Sequence, residues 1–154
     1  MTQRLDYAHA APDAMKALRG VSAYVAQCGL AAELIDLVYL RVSQINGCAY
    51  CIDLHSRDLL KRGVSVDKLV LAPAWREGGG LFDARERAAL AWAEAVTKVG
   101  ETQVPDADFA AAAAVFSAKE LTDLTVAIGL MNTYNRLAIS FRTVPAGAKL
   151  DAKG

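Results

Sequence analysis

Apolar residues recur every three or four positions along most of this chain, and this helical period limits the folds that it can adopt more than any other feature. A predicted helix over 31–45 shows the pattern in four residues: Leu34, Leu37, Val38 and Val42. Asn46-Gly47 follows, and glycine tolerates the positive φ of a helix end or a tight turn. No convincing segment with the two-residue period of a strand remains, so we expect an all-α fold.

The same spacing, together with helix-starting and helix-ending residues, predicts six more helices. They cover residues 12–27, 48–62, 66–71, 84–99, 105–117 and 119–141. Ser65 is expected to cap the helix over 66–71, and Asp83 and Glu86 to form a capping-box-like pair at the start of the helix over 84–99. Pro73 and the glycines at 78–80 predict a mobile connection between those two helices.

The length and composition indicate one domain that associates with copies of itself. A chain of 154 residues is the size of a single domain, so we expect one domain over 1–154. Hydrophobic residues make up 54% of it, against an average of roughly 45–50%. A short chain with this much apolar surface often buries part of it against a partner subunit, which predicts a homo-oligomer.

Charge and hydropathy exclude several classes of partner. Lys and Arg (17) balance Asp and Glu (17), so no overall field attracts nucleic acid or anionic lipid. The N-terminus lacks the apolar stretch of a signal peptide, and apolar runs such as 109–116 are too short to span a membrane. The expectation is a cytoplasmic protein without a membrane partner. No nucleotide, haem or flavin motif is visible, so no cofactor is expected.

The chemistry concentrates in Cys48-Ala-Tyr-Cys51, with His55 four residues further on. In a cytosolic protein a Cys-x-x-Cys pair is more often catalytic or metal-binding than structural. The N-terminus of the predicted helix would lower the pKa of Cys48, which lies nearest to it. His55 would instead activate Cys51, which shares its helix face. The two arguments favour different nucleophiles, and spacing alone does not choose between them.

Two further residues are candidates for proton transfer. Asp36 lies twelve residues before Cys48, and it would approach the cysteines if the two helices folded back antiparallel. A partly buried acid there could orient or deprotonate His55. Tyr50 could extend a proton relay through its hydroxyl or hold a water. Cys28 is the unpaired third cysteine, and we expect it to be a small buried apolar residue.

Three segments of the sequence resemble the AhpD-like alkylhydroperoxidases of the carboxymuconolactone decarboxylase superfamily. They are residues 37–56, which contain the cysteines, and the later segments 86–97 and 132–137. The similarity extends over roughly 30–144, with its core motif at about 30–65. It implies an all-α helical bundle that assembles into trimers or larger rings such as hexamers. It also implies reduction of organic hydroperoxides or peroxynitrite through a dithiol–disulfide cycle.

The resemblance assigns roles to the individual residues. In this family the second cysteine of the motif works with the histidine and attacks the peroxide, which implies that Cys51 and His55 do so here. Cys48 would then resolve the sulfenic acid to a disulfide, and an external dithiol or a reductase partner would reopen it. This chain departs from the founding members in two places. They carry histidine where it has Tyr50, and glutamate where it has Asp36.

Two alternatives come from other functional classes. Cys48, Cys51 and His55, with Asp36 as a fourth candidate, have the ligand types of a site for Zn²⁺ or another metal. The disulfide could also sense redox state by altering oligomer packing, without turnover. A lactone decarboxylase is suggested only by the name of the superfamily, and that branch generally lacks the Cys-x-x-Cys pair.

Overall fold

The computed structural model describes residues 2–150, which form helices and turns without a strand. The prediction of an all-α fold is confirmed. The helices are α1 (Tyr7–Ala10), α2 (Pro12–Val25), α3 (Ala32–Asn46), α4 (Ala49–Lys61), α5 (Val66–Leu71), α6 (Ala84–Thr97), α7 (Val99–Thr102), α8 (Asp106–Ala113), α9 (Ala118–Phe141) and α10 (Ala146–Leu150). None of the described helices is long and apolar enough to span a membrane.

Helix α3 lies at the centre and packs against α4, α6 and α9. Because α3 is apolar on more than one face, its side chains pack in two separate apolar clusters. Leu37 and Leu40 pack in the cluster that contains Leu90 of α6, whereas Val38 and Val42 pack in the cluster built with α9. Each of these side chains is almost fully buried, and burial of one such side chain contributes about 1.5–3 kcal/mol. The helix that carries Asp36 is therefore held in place from several sides.

The turn between α3 and α4 is the reversal that places the site. Gly47 adopts φ 71°, as the sequence predicted for a helix end. The Cys48 N–H then donates to the Ser43 carbonyl at 2.9 Å and closes the turn. Because only two residues separate the helices, α4 runs back antiparallel along α3 and brings its C-terminal end to the first turns of α3.

The predicted capping residues of α5 and α6 are confirmed, but one helix boundary was wrong. Ser65 accepts a hydrogen bond from the Lys68 N–H, and Asp83 and Glu86 form a reciprocal capping box. Ser117, predicted to end the helix over 105–117, instead caps α9 and forms a capping box with Glu120. Helix α8 already ends at Ala113, four residues before the predicted end.

The connection between α5 and α6 is packed, whereas the sequence predicted a mobile one. It consists of two short 3₁₀ turns, over Ala72–Glu77 and Gly79–Leu81. Trp75 and Phe82 are buried, and the Trp75 indole donates to Glu94 at 2.8 Å. A side chain at Gly78 would meet the Phe82 ring at 2.6 Å, so this glycine is needed for close packing.

The N-terminal segment lies against the end of α9. The Arg4 N–H donates to the Phe141 carbonyl at 2.9 Å, and the rings of Tyr7 and Phe141 are 5.7 Å apart. The sequence did not predict helix α1, which has only four residues. Asp6 caps it by accepting from two backbone N–H groups. The packing places Tyr7 beside the site described below.

We expect the Ser117→Ala substitution to destabilise the protein by about 1 kcal/mol, because it removes the N-cap of the longest helix. Denaturant unfolding followed by circular dichroism measures the change. Thr122→Ala is the matched control, since Thr122 is exposed on the same helix and alanine is the better helix former. Equal stability of the Ser117→Ala variant and wild type would show that α9 does not depend on this cap.

Candidate active site

Two free thiols lie side by side at the N-terminus of α4. Cys48 is the N-cap residue, and Cys51 is on the first turn. Their sulfur atoms are 2.9 Å apart, and both residues are buried, with 1% and 3% of their surface exposed. A small rotation would bring the sulfurs to the distance of about 2.05 Å found in a disulfide. The pair can therefore share a proton or close a disulfide.

The surroundings of the two thiols separate their acidities. The neighbouring Cys51 thiol and the nearby backbone N–H groups of Cys51 and Tyr50 lower the pKa of Cys48 to about 7, against the opposing effect of burial. The same thiol–thiol hydrogen bond, with burial, raises the pKa of Cys51. Loss of a proton from the pair is thus favoured at Cys48, which lies at the positive end of the helix dipole.

A fully buried asparagine supports the dithiol from the side of α9. The Asn135 amide donates to the Ser43 hydroxyl at 3.0 Å and accepts from the Asn46 amide at 2.9 Å. Hydrogen bonding from Asn135 also lowers the pKa values of both cysteines. Neither Asn135 nor Ser43 was predicted to have a role. An asparagine on an otherwise apolar helix face was the signal that could have identified the first.

His55, Asp36 and Arg62 form a line of polar groups next to the cysteines. His55 Nδ1 is 3.5 Å from Asp36 Oδ1, while Arg62 Nε donates to Asp36 Oδ2 at 2.8 Å. Burial alone would raise the pKa of Asp36, but the neighbouring His55 imidazole and the hydrogen bond from Arg62 lower it. Asp36 thus stays ionised, and the predicted approach of Asp36 to His55 is what the antiparallel helices produce. The sequence analysis missed Arg62.

A cavity of about 570 Å³ opens beside these groups. Cys51, His55, Asp36 and Tyr50 contribute to its wall, whereas Cys48 lies behind Cys51 and does not reach it. All five predicted site residues therefore come together, with four on the cavity. Most of the remaining wall is apolar, and three further tyrosines line it: Tyr7, Tyr39 and Tyr134.

Tyr39 was missed, although it lies one helical turn after Asp36 and so shares its face. Its ring is 5.0 Å from the His55 ring, and burial raises its pKa well above the ordinary value. Tyr39 is therefore a neutral hydroxyl at neutral pH. It restricts the orientation of the imidazole.

The residues that could hold a metal differ from the predicted set. In the described part of the chain, the converging ligand atoms belong to Asp36, His55 and Asp58, and they lie within 4.8 Å of one another. The two cysteines do not join this group. A metal site built from Cys48, Cys51, His55 and Asp36 is therefore not the arrangement that the fold produces.

Comparison with known proteins identifies the family. Residues 12–95 match the model of the carboxymuconolactone decarboxylase family. The chain is also 32% identical over 140 residues to YdfG, an uncharacterised protein of Bacillus subtilis strain 168. That alignment covers 91% of this chain and 95% of YdfG. The chain belongs to the carboxymuconolactone decarboxylase family.

Solved structures support an AhpD-like member of this family. A protein of unknown function from Agrobacterium tumefaciens, provisionally described as the antioxidant defence protein AhpD, superposes with a TM-score of 0.90 at 42% identity. It covers 94% of this chain, and this chain covers 98% of it. The debrominase Bmp8 has the same fold at 20% identity, with a TM-score of 0.76 over 89% of this chain and 73% of its own.

We expect the thiolate of the reduced protein to form as the pH rises through about 7, because the pKa of Cys48 is lowered by its hydrogen-bond donors. The ultraviolet absorbance of the thiolate, followed against pH, measures this. In the Cys51→Ala variant the midpoint should move up towards the ordinary cysteine value, since the thiol donor is gone. An unchanged midpoint in that variant would mean that Cys51 does not stabilise the thiolate.

We also expect Arg62 and Asp36 to be coupled by about 1 kcal/mol in a double-mutant cycle of unfolding free energies, made with Arg62→Gln and Asp36→Asn. Arg62 is 46% exposed at its side chain, so solvent screening limits the value. The exposed pair Lys61–Asp58 is the control and should couple by less than about 0.5 kcal/mol. Equal coupling in the two cycles would show that burial of Asp36 adds nothing.

Proposed function

We propose that this protein is a dithiol peroxidase that reduces small organic hydroperoxides. The observation that carries the proposal is the buried pair of thiols, in which Cys51 opens to a cavity shared with His55 while Cys48, the thiol with the lowered pKa, lies behind it. A peroxidase of this type needs an accessible sulfur that loses its proton as it attacks, and a second thiolate for the resolution. The two cysteines differ in accessibility and acidity in just this way.

In the first step Cys51 attacks the peroxide. As its sulfur forms a bond to the distal oxygen, the O–O bond breaks and the thiol proton passes to His55. Nδ1 of His55 faces Asp36, which leaves Nε2 as the nitrogen for this transfer. His55 then returns the proton to the leaving alkoxide, which departs as the alcohol. Cys51 is oxidised by two electrons to the sulfenic acid, and the peroxide is reduced.

In the second step Cys48 resolves the sulfenic acid. Its thiolate attacks the Cys51 sulfur, from which it is separated by 2.9 Å in the reduced pair. The S–S bond forms, the S–O bond breaks, and the leaving hydroxide takes up a proton to become water. The lowered pKa of Cys48 is useful at this step, because resolution requires a thiolate near neutral pH.

Asp36 and Tyr50 assist the movement of protons. The Asp36 carboxylate faces His55 Nδ1 and stabilises the imidazolium that forms during the attack. Arg62 keeps this carboxylate in place through its hydrogen bond to the other oxygen. Tyr50 lies on the cavity wall, where its hydroxyl can carry a proton from solvent to the leaving hydroxide.

The cycle requires a partner that supplies two electrons and two protons. An external dithiol or a reductase reopens the disulfide by attack of a thiolate, and it has to approach through the cavity at Cys51, since Cys48 is enclosed. We therefore propose that the protein works in the cytoplasm with such a dithiol or reductase partner.

We also propose that the chain works as a homo-oligomer, a trimer or hexamer. Exposed apolar side chains on α8 and α9 support this, with Phe109 at 54% and Val126 at 38% exposure. They border an apolar groove of about 680 Å³ that also includes Trp92 and Phe116. Association through such a surface would remove it from water.

Substitution of each cysteine tests the assigned roles. Cys51→Ser should abolish peroxide-dependent thiol loss, since the attacking sulfur is gone. Cys48→Ser should react once and stop at a sulfenic acid on Cys51, because no second thiolate resolves it. Intact mass with a sulfenic-acid trapping reagent, after addition of cumene hydroperoxide, distinguishes the two products.

Cys28→Ser is the matched control, because Cys28 is partly buried elsewhere in the fold and should be dispensable. Trapping of the sulfenic acid on Cys48 in the Cys51→Ser variant would reverse the roles. Equal oxidation in all three variants would exclude the dithiol cycle.

A further inference from the structure

We propose that Asp36, His55 and Asp58 form a binding site for a divalent transition-metal ion such as Zn²⁺, and that occupation of this site switches off the proton relay. The binding stands on the geometry alone, whereas the switching rests on the proposed peroxidase function. The site uses the carboxylate end of the relay and leaves the two cysteines free.

The ligand atoms are already close to a metal-binding arrangement. Two ligands of a tetrahedral Zn²⁺ at 2.0–2.1 Å are about 3.3 Å apart. His55 Nδ1 and Asp36 Oδ1 are 3.5 Å apart, so they need almost no movement. Asp58 offers the third ligand atom within 4.8 Å of both. Its side chain is 32% exposed, so a rotation can complete the set.

The imidazole supplies an observation independent of the acidic residues. His55 is 7% exposed, and its Nδ1 has no hydrogen bond of regular geometry in the described structure. A buried polar atom without a partner costs free energy. Because Nδ1 is directed at Asp36, a metal ion between them would give it a ligand bond instead.

Two neighbouring cations pair with the carboxylates, and both leave an oxygen available or can move away. Arg62 binds Oδ2 of Asp36, which leaves Oδ1 for the metal. Lys61 pairs with Asp58, but its side chain is 73% exposed and can turn into solvent. One imidazole and two carboxylates are ligand types that suit zinc and similar divalent ions, and three protein ligands leave a position for water.

Occupation of the site would stop proton transfer. A metal bound to the lone pair of Nδ1 requires the tautomer with the proton on Nε2, so Nε2 no longer accepts the proton of Cys51. It also withdraws the Asp36 carboxylate from the imidazole. The metal therefore inhibits without blocking either sulfur, and a chelator restores activity.

Calorimetric titration of ZnCl₂ into the Cys48→Ser/Cys51→Ser protein tests the binding, since zinc cannot then use the thiols. We expect one Zn²⁺ per chain. Adding Asp58→Asn should weaken the affinity by at least about tenfold, as loss of a ligand does. Asp108→Asn, at an exposed aspartate on α8, is the matched control and should leave the affinity unchanged. If the double variant does not fold, wild-type protein oxidised to the disulfide with diamide replaces it in the titration. This oxidised protein should also bind one Zn²⁺ per chain.

Peroxide-dependent thiol oxidation in wild type, measured with zinc and again after EDTA, tests the switch. Zinc should slow the oxidation, and in Asp58→Asn the same inhibition should require at least about tenfold more zinc.

No zinc binding by the protein without thiols, or equal affinity in the Asp58→Asn and Asp108→Asn proteins, overturns the inference. Binding without any effect on oxidation overturns the switch. Oxidation in the presence of EDTA reports on the peroxidase proposal separately.

Discussion

The reversal at Asn46-Gly47 is the constraint on which the rest of the site depends. A left-handed glycine and the hydrogen bond from the Cys48 N–H to the Ser43 carbonyl end α3 and start α4 within two residues. The reversal puts both cysteines at the N-terminus of a helix, where backbone N–H groups stabilise a thiolate. It also lays the far end of α4 against the start of α3, so that His55 and Arg62 meet Asp36. Dithiol and relay are thus two consequences of one turn.

The site separates two properties that a single reactive cysteine has to combine. The pKa of Cys48 is lowered, but this residue is enclosed; Cys51 faces the cavity, but its pKa is raised. The proposed reaction requires a substrate that enters the cavity and a base that accepts the proton of Cys51. The Asp36–His55 pair is suited to that role.

The sequence predicted what depends on local pattern. The period of three to four residues identified the main helices, and Cys48, Cys51 and His55 follow from their spacing on one helix. The prediction that Asp36 approaches the site required the assumption that the two helices pack antiparallel. Gly47 supported this assumption, because a glycine there permits a tight turn. Arg62 was missed because its role comes from a contact between two helices. Tyr39 and Asn135 were missed although the local pattern held a signal for each: Tyr39 shares a helix face with Asp36, and Asn135 is a polar residue on an otherwise apolar face. Ser117 was misassigned because the alanine run has high helix propensity, while the capping box with Glu120 starts the next helix there. Asp58 was overlooked because the two residues that it approaches, His55 and Asp36, lie on the preceding turn of α4 and on α3.

The central claim is that Cys48 and Cys51 together reduce one peroxide per cycle. The most direct test uses fully reduced Cys28→Ser protein and one equivalent of cumene hydroperoxide. Free thiols, intact mass and the alcohol product are counted in the same sample. The account requires the loss of two thiols per chain, a mass that corresponds to a disulfide, and one molecule of alcohol. Retention of both thiols with the peroxide unconsumed would contradict it, and the dithiol would then have to serve a chemistry other than peroxide reduction.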